Sequence, residues 1–132
     1  MENLKEIIEE LSKIPKGKAI EAPDELVAIE MLFFGLPLYF TRRSLKHMVE
    51  KGGLGRKLME LIFVILYNPD EIRSGTKKNR YLVLKTFNNL RMGKPFVVCL
   101  EQHEDYVLII TVFPSHFEYL KNYDLLWRTA IL

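Results

Sequence analysis

The apolar pattern of this 132-residue chain changes period near residue 71, and that change constrains the fold more than any other feature. Before it, apolar residues recur at helical spacing; after it, they form β-branched and aromatic runs joined by short polar links. Leu4, Ile7, Ile8 and Leu11 form one helical stripe, with Glu2 and Glu6 at the favourable end of the helix dipole. Pro15-Lys16-Gly17-Lys18 closes that helix, and Pro23-Asp24 can open a second one running to about Phe34, broken by Gly35-Leu36-Pro37. Leu38-Tyr39-Phe40 reads as a short extended piece. Thr41 then reads as the N-cap of a helix through about Lys51, stopped by Gly52-Gly53. A further helix fits Leu54 to Leu66, with Leu58, Leu61, Ile62 and Ile65 on one face, and Asn68-Pro69-Asp70 ends it.

Past the change of period, Arg80 to Phe87, Pro95 to Glu101 and Tyr106 to Phe113 have strand composition. The links Asn88 to Lys94 and Gln102 to Asp105 are short enough for hairpins, so the three strands form an antiparallel meander. Ser115 can cap a short terminal helix carrying Phe117, Leu120, Tyr123, Leu125, Leu126 and Trp127. The expected class is α+β: N-terminal helices packed on a curved antiparallel sheet of about three to four strands, with a short C-terminal helix. Residues 1–132 are expected to make a single domain, residues 1–20 forming an acidic helical appendage.

Charge is distributed unevenly. Residues 41–94 hold 13 Lys/Arg against four acids, a net +9, although the whole chain carries only +2. A near-neutral chain with one strongly basic third suggests a polyanion-binding face. The single cysteine, Cys99, allows no internal disulfide and lies in an apolar run, where a buried thiol is expected. The N-terminus is acidic and amphipathic, unlike a signal peptide, and Leu26 to Phe40 is too short and interrupted to span a bilayer. A cytoplasmic protein without a membrane association is expected.

Several chemistries lack their residues. No Gly-rich loop joins a strand to a helix, and the His, Asp and Glu residues show no metal-ligand spacing, so no metal or other cofactor is expected. Asp70/Glu71 and Glu104/Asp105 are carboxylate pairs at turns, and His103 falls in a hairpin link where a solvated role is the simpler reading. His47 carries the sharper hypothesis. On a helix capped by Thr41 it lies beside Arg43 and Lys46, cations that disfavour its protonated form until a phosphate restores it. The simpler alternative is a solvated helix histidine. Lys77, Lys78 and Arg80 form a cationic turn, and Lys85 is a lysine within a strand.

The order of these segments is familiar. SLKH (Ser44 to His47) is followed by YNPDEIRSG (Tyr67 to Gly75), RYLVLKTF (Arg80 to Phe87), PFVVCLEQ (Pro95 to Gln102) and YVLIITVFPS (Tyr106 to Ser115). Over roughly residues 36–127 this resembles the phage-associated branch of the barnase–EndoU–colicin–RelE-like nuclease superfamily. The resemblance implies a nuclease-like core whose curved sheet presents an RNA-binding face. It also implies a metal-independent endoribonuclease of toxin or phage type, in which the ribose 2′-hydroxyl attacks the adjacent phosphate. His47 would then be the helix-borne acid or base, Lys85 the strand-borne cation on the scissile phosphate, and Thr111 a donor to a non-bridging oxygen. Arg43, Lys46, Arg73, Lys77, Lys78, Arg80 and Ser115 would bind phosphate. An antitoxin or other protein partner is also compatible with the resemblance. The second acid or base is missing from these motifs, with His116 the weaker candidate. The alternatives are therefore a non-catalytic nucleic-acid-binding module or a phage- or virion-associated protein-interaction domain.

Overall fold

Seven strands hydrogen-bond into one sheet in the order β1-β2-β6-β5-β4-β3-β7. They are seen in a computed structural model that describes residues 4–50, 55–87 and 95–129. In chain order the elements are α1 (Leu4–Ser12), β1 (Leu26–Phe33), β2 (Leu36–Thr41), α2 (Arg42–Val49), α3 (Gly55–Tyr67), β3 (Glu71–Ser74), β4 (Arg80–Thr86), β5 (Pro95–Gln102), β6 (Val107–Pro114), α4 (Phe117–Leu120) and β7 (Leu125–Arg128). All neighbours pair antiparallel except β2 and β6, which run parallel with Tyr39 opposite Leu108. Thr41 caps α2 as its side-chain oxygen accepts from the Ser44 amide at 3.1 Å.

Strand alternation sorts the side chains onto two faces. One face packs beneath α1, α2 and α3: Val27, Ile29, Leu38, Phe40, Val83, Val98, Leu100 and Ile109 meet Ile7, Leu11, Leu45, Met48, Ile62 and Ile65. On the far face Leu82, Leu84, Val97 and Cys99 pack beneath Leu120 of α4, with Phe113 and Tyr123 against them. The segment around α4 therefore covers the middle of the far face and leaves its ends open. On the helical face, Met31 to Phe34 from β1 and its turn share one groove with Ile72 of β3, Trp127 of β7 and Thr129 just past it. Strands from the two ends of the strand order meet there, so the sheet curls toward its helices.

The expected sheet of three to four antiparallel strands is corrected to a mixed sheet of seven. The expected helix from Pro23 to Phe34 is strand β1 joined to β2 by a two-residue turn at Phe34-Gly35. Ala28, Glu30, Met31 and Leu32 are compatible with a helix, but tertiary context decides otherwise. Pairing with β2 lets Val27 and Ile29 both enter the core on period two. The expected terminal helix shrinks to α4, and Leu125 to Arg128 instead adds an edge strand to β3. Ile7 and Leu11 of α1 are buried in the main core, and Arg42 of α2 ion-pairs with Glu10 at 2.9 Å. The Gly52-Gly53 stop and the Asn88 to Lys94 link lie outside the described residues, as do the side chains of Leu58 and Phe117. Among the described residues no helix is long and apolar enough to cross a membrane.

Candidate functional site

The β4–β5 register sets Arg80 directly opposite Glu101, one strand position beyond Cys99 and Leu82 on the far face. The Arg80 Nε–H donates to Glu101 Oε2 at 2.9 Å, and the other carboxylate oxygen contacts His103 Nε2 at 2.8 Å. One carboxylate thus bridges a guanidinium and an imidazole. Because Nε uses only one of the guanidinium's five donors, the fork can also bind a second anion. Partial burial pushes the Glu101 carboxyl up, but the hydrogen bonds from Arg80 and His103 and their charges outweigh it, holding the group below its ordinary value. Burial raises the Cys99 thiol, which also feels the charges of Arg80 and Glu101 on the same face.

Tight turns at the sheet end hold the cluster. The His103 amide donates to the Tyr106 carbonyl at 2.8 Å, closing the β5–β6 turn, and the two rings stack with centroids 4.6 Å apart. Tyr106 in turn meets Tyr39 edge-on at 5.6 Å, so an aromatic row runs from β2 to the imidazole. Opposite it, the Gly75 amide donates to the Arg80 carbonyl at 2.7 Å. A Cβ on Gly75 would lie 2.8 Å from Arg80 Cβ and 3.0 Å from its carbonyl oxygen. Only glycine lets the β3–β4 turn close this tightly on Arg80.

The anticipated residues divide between locations. Thr111 faces Cys99 across the β5–β6 ladder, so it shares the far face with Arg80. Lys77 and Lys78 are exposed in the turn that leads to Arg80. His47 is elsewhere: exposed on α2, it lines a cavity of about 230 Å³ with Lys18, Arg43 and Glu50. Glu50 is held below its ordinary value, first by its hydrogen bond from Lys46 and then by one from the Gly17 amide. Lys46 is only 5% exposed; it ion-pairs with Glu50 and donates to the Pro15 carbonyl at 3.3 Å. Lys85 shares the helical-face parity of Val83, and its ammonium donates to the Asn68 carbonyl at 2.8 Å and lies 3.6 Å from Asp70. His47, Lys85 and Thr111 therefore occupy three separate places.

Arg73 is committed too. It pairs with Glu71 at 2.8 Å and donates to the Tyr123 carbonyl at 2.9 Å, while its Nε is buried without a partner. Ser115 donates its amide to the Pro95 carbonyl at 2.9 Å, and the His116 ring lies 5.9 Å from Tyr119 at the start of α4. Sequence reasoning took His103 for a solvated turn residue and gave Glu101, Tyr106 and Tyr39 no role at a site. A signal existed: Glu101 and His103 are two apart, the spacing that puts both side chains on one face of a strand. Arg80 joins them only in the register that sets Thr86 opposite Pro95; pairing the apparent strand ends, residues 87 and 95, would shift it by one residue and onto the wrong face. Among the described residues, no three His, Cys, Asp or Glu side chains cluster as metal ligands would.

Residues 16–128 match the model of a family described as phage-Barnase-EndoU-ColicinE5/D-RelE like nuclease2. No curated protein and no solved structure matches the chain. The match spans most of the sequence, and the chain belongs to this nuclease family.

Proposed function

We propose that this member of the nuclease family cuts RNA without a metal ion, using Glu101, His103 and Arg80 on the far face of the sheet. The observation that carries the reading is the single carboxylate shared between an imidazole and a guanidinium at 2.8 and 2.9 Å. Cleavage of this kind needs a base, an acid and a cation, and the cluster supplies one of each. Glu101, ionised at neutral pH, takes the proton of the ribose 2′-hydroxyl. The freed oxygen bonds to phosphorus as the bond to the 5′ oxygen breaks, and His103 in its protonated form gives that oxygen its proton. The products are a 2′,3′-cyclic phosphate and a 5′-hydroxyl. Arg80 holds the non-bridging oxygens, with Thr111 farther along the same face. When the phosphate draws the guanidinium away, Glu101 loses a stabilising partner and becomes a stronger base. Tyr106 is a positioning residue whose stacked ring fixes the plane of His103.

The remaining cations would hold the phosphate backbone away from the scissile bond: Lys77 and Lys78 near Arg80, and Arg43 on α2. The test is incubation with mixed RNA in EDTA. Shortened products ending in 2′,3′-cyclic phosphate are expected, with Glu101→Gln and His103→Ala each abolishing them. Absence of cleavage, or cleavage untouched by both changes, refutes the assignment. A second reading, binding without turnover, is favoured by the pairing of Arg80 with Glu101 in the free protein. It expects salt-steep RNA binding with no products.

A further inference from the structure

Apolar side chains that the fold does not need to expose surround the groove on the helical face. Phe34 is 80% exposed at the tip of the β1–β2 hairpin, Tyr67 is 86% exposed and Trp127 is 45% exposed. Two adjoining hollows of about 420 and 570 Å³ share Phe33, Phe34, Ile72 and Trp127 in their walls. Exposed aromatic groups concentrated in one concave patch mark an interaction site rather than ordinary surface.

Phe34 is the informative residue. It adopts φ 50°, followed by Gly35 at φ 79°, the left-handed pair that a two-residue hairpin turn requires. Asparagine or glycine suits the first of these positions, and a bulky aromatic there is strained. The ring packs edge-on against Phe33 at 4.5 Å yet stays 80% exposed, and that one contact does not account for a strained aromatic at a hairpin tip.

We propose that this groove binds unpaired nucleobases of the RNA strand being cut, with Phe34 and Trp127 as stacking surfaces. The proposal rests on the RNA reading above and deepens it. Every base has a π-face, and exposed aromatics in a groove are the usual platform for single strands. The location fits a strand folded over the sheet end. Tyr81 and Gln102 line the groove, and each is the chain neighbour of a residue in the cutting site, Arg80 or Glu101. Their side chains project to the opposite sheet face, so one strand can place its phosphate on one side and a neighbouring base on the other. The exposed Lys77 and Lys78 stand at that same end, where the backbone would cross. An added protein strand fits less well, because edge strand β7 has an irregular register and bears Arg128, two features that discourage edge pairing.

The chain has one tryptophan, Trp127, so its fluorescence reports on the groove directly. The full chain carrying Glu101→Gln is titrated with a short single-stranded RNA of mixed sequence. Quenching is expected, and adding Phe34→Asn should raise the Kd about tenfold. Asparagine is preferred in that turn, so the thermal midpoint of Phe34→Asn should hold or rise, which separates lost stacking from misfolding. With Glu101 intact, the unsubstituted chain should cleave a dinucleotide, and Phe34→Asn should raise the KM for the longer RNA. RNA that binds without changing Trp127 emission, or binds Phe34→Asn equally tightly, overturns the proposal. So does anilinonaphthalene sulfonate that fills the groove and is not displaced by saturating RNA, the outcome expected of a surface for an apolar protein partner. Failure of the cutting reading looks different: the dinucleotide stays whole while the quenching persists.

Discussion

His47 and His103 stand in contrasting surroundings. His47 is exposed on α2 beside Arg43 and Lys18, and its nearby carboxylate, Glu50, is occupied by Lys46 and the Gly17 amide. His103 is held by Glu101, stacked on Tyr106 and one residue removed from a guanidinium. A histidine becomes useful for proton transfer through the groups that orient it and share its charge, and only one of these two has them. The cations differ likewise. Lys46 and Arg73 lie in the basic third but spend their charge inside the fold, on Glu50 and Glu71.

The largest expected effect separates the two histidines. Glu101→Gln and His103→Ala should each lower the RNA cleavage rate by about 10²- to 10⁴-fold, whereas His47→Ala should stay near wild type. Initial rates on one substrate measure this, and equal losses at His47 and His103 would erase the distinction. Next is Gly75→Ala, which forces Arg80 to shift and should slow cleavage by about 10- to 100-fold with a small change in melting temperature. On the α2 side the expected loss is stability. Lys46→Ala removes a buried stem and leaves Glu50 without its main partner, so chemical denaturation should show a loss of about 1–3 kcal/mol. The smallest effect is a pH dependence. Glu101 is held low in the folded protein, so its stabilisation is complete above the ordinary carboxyl value of about 4.3 and fades as pH falls through the lowered value. Wild type should therefore melt above Glu101→Gln at neutral pH, and the gap should narrow on acidification.

What could be read from the chain alone was what local pattern determines. The Thr41 cap and the stripe of α1 follow from residues within a few positions of one another, and each strand of the central meander from its own β-branched run. β7 was missed because it becomes a strand only by pairing with distant β3, Trp127 with Ile72, and β1 because Phe34 disguises the two-residue turn that joins it to β2. The cluster failed for a related reason. Arg80 and Glu101 are 21 positions apart, and the basic character of the middle third drew attention to helix α2, where neighbours in sequence are neighbours in space. On a sheet the decisive neighbours lie across the ladder.

The claim that the far face of the sheet, rather than α2, takes the scissile phosphate can be tested by NMR of the three histidine rings. The full chain is titrated with a dinucleotide lacking the 2′-hydroxyl, which can bind but cannot be cut by this route. The resonances of His103 should shift and saturate while those of His47 stay in place. A shift at His47 with His103 unmoved would contradict the account.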